Sequence, residues 1–284
     1  MLQVTSTSLF RKMEVLFLGL ALFFGTALIV ATGAGCIGTP LNVSGEYDPN
    51  LQSIRTIDAA VNVVKRNSLG TEPRALADAA DGFVRRRFVQ GYSEYSPCED
   101  WIAYLAGFVW GDLRNPVLPD DILKHARGAC SQQAIVFQSI ARRFGLDVGS
   151  IRLTGHFIPA VRLGGHWMAY DPYQEISPRS YPLSELLAGD PRIEQLYGET
   201  GRGLGMVRQA ASHQIRLTSI NANPAPQASL FHRLTYFFSH YGWLACLGLF
   251  AVTHALRLVA GRRSKVGRAP RADHRRDGRP FGSK

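Results

Sequence analysis

Residues 127–173 read RGACSQQAIVFQSIARRFGLDVGSIRLTGHFIPAVRLGGHWMAYDPY, and this stretch decides the fold. Gly128-Ala129-Cys130-Ser131 is a loop-to-helix signal of small residues, with Ser131 as a candidate cap. Behind it Ala134, Phe137, Ala141 and Phe144 recur at three- and four-residue spacing, with Ile140 beside them, as an amphipathic helix requires. Gly145 supplies the stop. Cys130 therefore falls at a helix N-terminus, where unpaired backbone N–H groups and the positive dipole end favour a thiolate. The competing role is a small buried residue at a helix start.

The following residues predict strands. Ser150 to Gly155 is rich in β-branched side chains, and His156–Leu163 and His166–Tyr170 flank Gly164-Gly165, a two-residue turn signal. With those glycines as the turn, Leu163 faces His166, Ile158 faces Asp171 and His156 faces Tyr173. Cross-strand partners share a face and side chains alternate along each strand. His156 and Asp171 then become diagonal neighbours on one face, and His166 lies on the other. A bulge at Pro159, which has no N–H for the ladder, would shift this parity.

Cys130, His156 and Asp171 in that arrangement are a nucleophile, its base and the group that orients the base. The pattern resembles the transglutaminase-like superfamily of papain-like cysteine enzymes. That family has a Gly-x-Cys before a helix, a His opening a later strand and an Asp-Pro closing another. Here these are Gly128-Ala129-Cys130, Gly155-His156 and Asp171-Pro172. The resemblance spans about residues 95–185. It implies Cys130 as nucleophile, His156 as base and Asp171 as orienting acid. The family's aromatic residue after the His corresponds to Phe157, which is followed here by Ile158-Pro159, and its Trp upstream of Asp-Pro loosely to Trp167. For its upstream oxyanion donor Trp101 and Trp110 are the candidates, with core packing as the competing role. Calcium, which some animal members use, has no recognisable loop in this chain, and no cofactor or metal is expected.

Two other readings stand beside it. A zinc site from Cys130, His156, His166 and Asp171 has suitable ligand types but lacks the close-spaced ligand pairs of common sites. A catalytically inactive copy of the fold that binds a peptide or glycan uses the same groove, because a fold does not guarantee its chemistry.

Outward from this core, the apolar residues are unevenly spread. Val15–Gly38 carries no charged residue and follows Arg11-Lys12, which predicts an uncleaved membrane-spanning anchor over 15–38, longer than the core of a cleaved signal. Residues 39–52 are polar and turn-rich, a linker. Residues 53–220 form the expected α+β, papain-like domain. Ile54, Ile57, Val61 and Val64 mark one helix, and Leu76, Ala79, Phe83 and Val84 a second, with Arg85-Arg86-Arg87 on a solvated face. Trp101, Tyr104, Leu105, Phe108 and Val109 predict a third helix packed near that of Cys130. Residues 112–121 and 177–182 read as loops, 184–188 as a helical turn, and 214–220 as a last strand. Gly198–Gly205 has no phosphate-loop spacing, which argues against a nucleotide site.

Residues 221–233 read as a second linker, and 234–256 as a second span whose start is crowded with aromatic residues. The tail 257–284 holds ten Arg or Lys against Asp273 and Asp277, a net +8 of the chain's +10. Basic residues flank the cytoplasmic ends of membrane helices. Both termini are therefore expected in the cytoplasm, with residues 39–233 on the periplasmic or extracytoplasmic side of the inner membrane. The basicity is then a topology signal, and no nucleic-acid partner is expected. Only Cys98 and Cys130 fall in the soluble region, where a bridge between them would silence the nucleophile. The expected activity is acyl chemistry on amide bonds of a protein or peptide substrate in the cell envelope. Hydrolysis is the default because water is always present, and transfer to an amine is the variant.

Overall fold

The computed structural model describes residues 2–33, 45–153, 155–174, 176–198, 205 and 217–266. The chain divides into two compact units, Met1–Val30 with Phe238–Lys284, and Ala31–Phe237. The elements in order are α1 (Leu2–Gly33), α2 (Ile57–Asn67), α3 (Pro73–Arg87), β1 (Val89–Gln90), α4 (Pro97–Ala106), α5 (Pro119–Ile122), β2 (Arg127–Gly128) and α6 (Cys130–Arg143). Then come β3 (Val148–Leu153), β4 (His156–Leu163), β5 (His166–Tyr170), β6 (Ser180–Pro182), α7 (Leu183–Ala188), α8 (Pro191–Gly198) and α9 (Pro226–Val266). The protein is α+β, with a small antiparallel sheet and two long apolar helices.

The first unit is built from α1 and the greater part of α9. The stretches Ser8–Gly33 and Pro226–Arg262 are each long and apolar enough to cross a membrane. Helix formation begins earlier than the 15–38 expectation, and residues 34–38 lie outside the described residues. The linker expected over 221–233 is corrected from residue 226, because Pro226 occupies the first helical position it favours. Phe24 stacks on Phe238 with ring centroids 6.3 Å apart. Nearer the two chain ends, Glu14 pairs with Arg257 at 2.7 Å. The two helices are therefore antiparallel.

In the second unit β3, β4, β5 and β6 form a sheet in that order, all antiparallel. Gly164 and Gly165 have φ of 56° and 86°, as a type I′ turn demands of both central residues. That turn sets Leu163 opposite His166 and Ala160 opposite Ala169. Pro159 causes no bulge, since β3 and β4 pair continuously across it with Ser150 opposite Pro159. The ladder to β5 ends beside this proline, where no N–H is on offer. One face of the sheet (Val148, Val161, Met168, Tyr170) packs with Phe137 and Ile140 of α6 and with Val64 and Phe83 of α2 and α3. The other (Ile151, Ile158, Ala160, Ala169) packs with Leu186 and Ile193 of α7 and α8. With both faces covered, the strands lack the alternation of a half-solvated sheet.

Several expectations are corrected. Arg85 and Arg87 are buried, not solvated. Arg85 pairs with buried Asp81 at 2.6 Å. Arg87 donates to the carbonyls of Ile54, His125 and Leu123, so chain oxygens replace its water. The third helix stops at Ala106, and none of Trp101, Tyr104, Leu105, Phe108 or Val109 enters the buried core. Residues 112–121 contain a 3-10 turn (Gly111–Arg114) and α5, and 180–182 form β6. Of the last strand, Leu217 bridges Ile151 and Thr218 N–H donates to Ser150 O, while 214–216 lie outside the described residues. The glycine-rich 199–204 lies outside them too.

Candidate active site

Cys130 is the first residue of α6, after an extended N-cap at Ala129. The expected Ser131 cap is replaced by a side chain from within the helix, because Gln132 Oε1 accepts from Ala129 N–H at 3.0 Å. The same oxygen accepts from Ser93 N–H, and Gln132 Nε2 donates to the carbonyls of Ser93 and Pro116. One buried amide thus ties two segments, at Ser93 and Pro116, to the turn that carries the cysteine. Upstream, β2 pairs in parallel with β1, Gly128 beside Gln90. A Cβ on Gly128 would come within 3.1 Å of the Phe88 and Gln133 side chains, so a larger residue there would have to push them aside by a few tenths of an ångström.

His156 opens β4, and Asp171 follows the last residue of β5, so the hairpin brings them to one end of the sheet. His156 Nε2 lies 2.6 Å from Asp171 Oδ2. His166 is exposed on the opposite face. This separates it from the other three zinc candidates. Asp171 is fully buried and accepts three further hydrogen bonds, from Tyr197 O–H and from the N–H groups of Tyr173 and Gln174. Tyr197 in turn lies 3.0 Å from Tyr181, oxygen to oxygen.

Cys130 is half-buried and interacts with His156, whose Nε2 is already committed to Asp171. Burial alone would raise the thiol pKa. The hydrogen bond and charge of His156 outweigh it, with the backbone N–H groups of Phe157 and Ser131, and bring the thiol below its ordinary value. Burial likewise opposes charge on His156. The charge and hydrogen bond of Asp171, joined by those of Cys130, prevail and push the imidazole up to about 10. The two groups thus shift in opposite directions, the thiol down and the imidazole up.

Cys98 is disulfide-bonded, whereas Cys130 and Cys246 are free. The bridge that would have silenced Cys130 is absent. Neither Trp101 nor Trp110 is a core residue: the first is half-buried and the second exposed. Residues that sequence reasoning passed over surround the pair. Tyr173 sets its ring 6.0 Å from that of His156, and Gln90 Nε2 donates to Tyr173 O. The Tyr92 phenol is raised by burial and by its nearness to Cys130. No motif marks these side chains; the Tyr197–Asp171 bond arises only when α8 packs on the sheet.

A cavity of about 660 Å³ lies between α5, α6 and the start of α9, with Lys124, Arg142 and Arg233 among its walls. Cys130, His156 and Asp171 do not line it. Among the described residues no cluster of three His, Cys, Asp or Glu side chains is placed to hold a metal ion. No protein-family model, curated protein or solved structure matches this chain.

Proposed function

We propose that this protein is a membrane-anchored, transglutaminase-like cysteine enzyme that cleaves amide bonds through an acyl-enzyme on Cys130. The observation that carries the reading is the 2.6 Å bond from His156 to a fully buried Asp171, with Cys130 at a helix start and its thiol pKa drawn down by the same imidazole. A lone cysteine would not suggest a nucleophile; a cysteine with an oriented base does.

In this mechanism the Cys130 sulfur attacks the amide carbonyl carbon and forms a C–S bond. The C–N bond then breaks, and the amine leaves with the proton of the imidazolium. Water attacks the thioester, His156 accepts its proton, and C–S cleavage returns the thiolate and a free acid. An amine in place of water gives transfer.

The placement is part of the proposal: two membrane spans, both termini cytoplasmic and the α+β unit outside. Its supports are the antiparallel helix pair with Glu14 against Arg257, the basic residues outside each apolar run, and the disulfide at Cys98, a bond that persists in oxidising compartments.

An activated ester tests the chemistry. Purified full-length protein mixed with p-nitrophenyl acetate should release a burst of p-nitrophenol and carry an acetyl group on Cys130 by peptide mass. Cys130→Ala should abolish the burst, and His156→Ala should slow it. Acetylation spread over surface nucleophiles, with no burst that depends on Cys130, would leave the fold as a binding module.

A further inference from the structure

The last turn of α4 and the loop after it have a composition unlike that of a soluble surface. Leu105 is 51% exposed, Phe108 67%, Val109 91% and Trp110 65%, four large apolar side chains within six residues. Single exposed apolar residues are ordinary, but a contiguous exposed set marks an interaction surface. The backbone beneath them is closed on itself. Phe108 N–H bonds to Leu105 O, Val109 and Trp110 N–H to Ala106 O, and Leu113 N–H to Trp110 O. Such a turn leaves few of its own donors in need of water, a condition for entering the edge of a bilayer.

Its position is fixed by buried polar bonds to the first turns of α9. Asp100, within α4, accepts from Thr235 Oγ1 at 2.6 Å. Just past the loop, Leu113 O lies 3.0 Å from His232 Nε2, and the His232 ring packs edge-on to Tyr95. The loop is thus clamped on both sides to residues 232–235. Those residues are where the charge-free run of α9 starts, since Arg233 is the last charged side chain before 234–256. Another contact marks the same level: Lys124 Nζ sits 5.9 Å above the Tyr236 ring, a cation and an amphipathic aromatic of the kind that gathers at lipid headgroups.

We propose that Leu105–Trp110 is a membrane-interface anchor, with Phe108, Val109 and Trp110 inserted among the headgroups and upper acyl chains around the start of α9. The occupant of this surface is lipid. The anchor ties the α+β unit to the bilayer at a second point. The inference rests on the reading of 234–256 as a membrane span, and its test separates the two.

The test uses the full-length chain in phospholipid vesicles whose acyl chains carry bromine, a quencher of indole emission. Three single-tryptophan variants retain Trp110, Trp243 or Trp167, with the other tryptophans changed to Phe. Trp243 reports the span and Trp167, in β5, reports the domain. The expected result is a loss of Trp110 emission comparable with that of Trp243 when bromine is near the headgroups, smaller when it is near the bilayer centre, and none for Trp167. Quenching of Trp243 with Trp110 untouched by lipid bromine and open to aqueous iodide would overturn the anchor and leave the span standing. An unquenched Trp243 would overturn the span, and Trp110 would then judge the loop by itself. Should the multiple variants fail to fold, Trp110→Phe alone is sufficient: it should remove part of the lipid-quenchable emission of the native protein, and an unchanged quenchable fraction would overturn the anchor.

Discussion

Asp171 accepts four hydrogen bonds, from His156, Tyr197 and two backbone N–H groups, and none of its surface meets water. It therefore has one rotamer to offer, and that rotamer fixes the imidazole. The signs of the two pKa shifts set the pH window. The reactive thiolate is present above the lowered pKa of Cys130, and the imidazolium that protonates the leaving amine is lost as pH rises through about 10. Acyl transfer should rise through the first value and fall through the second. Asp171→Asn removes the main group holding His156 up, so the falling limb should move to lower pH. The rate at neutral pH should drop by about 10²–10⁴-fold, the span that positioned acid–base help supplies. A pH–rate profile of the variant with an unmoved alkaline limb would show that Asp171 does not govern the imidazole.

The nucleophile's helix is held by a side chain rather than by a cap. Gln132, buried on α6, makes four hydrogen bonds to Ser93, Pro116 and Ala129. Replacing it with Leu keeps much of the volume and orphans those backbone groups. We expect a loss of about 2–4 kcal/mol in a denaturant melt, from a few buried groups at about 1–3 kcal/mol each. A change within experimental scatter would mean that the β1–β2 pair alone secures the turn. The parts of this arrangement legible in the sequence are those with a local cause. Gly164-Gly165 dictates a tight hairpin, and its register by itself sends His156 rather than His166 to Asp171. The period of α6 and its stop at Gly145 (φ 75°) are equally local. What stayed hidden was tertiary. Arg87 looks like one third of a solvated triplet until four carbonyls converge on it. Tyr197 lies in a helix without a strong pattern, and β6 is three residues long with a proline at its end. The aromatic set around Phe108 has helical spacing but follows a helix that ends at Ala106, so periodicity predicted a core face where the chain exposes a patch.

Across the chain as a whole, charge and apolarity divide the labour. The charge-free runs supply two helices long and apolar enough to cross a membrane, the basic tail carries most of the net charge, and the α+β unit between them bears the thiol. The proposed topology rests on that division. A reporter active only outside the cytoplasm should be silent when fused after Lys284 and active when fused after Asn223; activity at Lys284 would reverse the second span. The central claim is the thiolate–imidazolium pair, and alkylation tests it most directly. The rate of Cys130 modification by iodoacetamide, read by peptide mass on the full-length protein across pH, should reach its plateau well below the free-thiol value of about 8.5. His156→Ala should move that plateau to higher pH. A titration of Cys130 at the free-thiol value, unchanged by His156→Ala, would contradict the account.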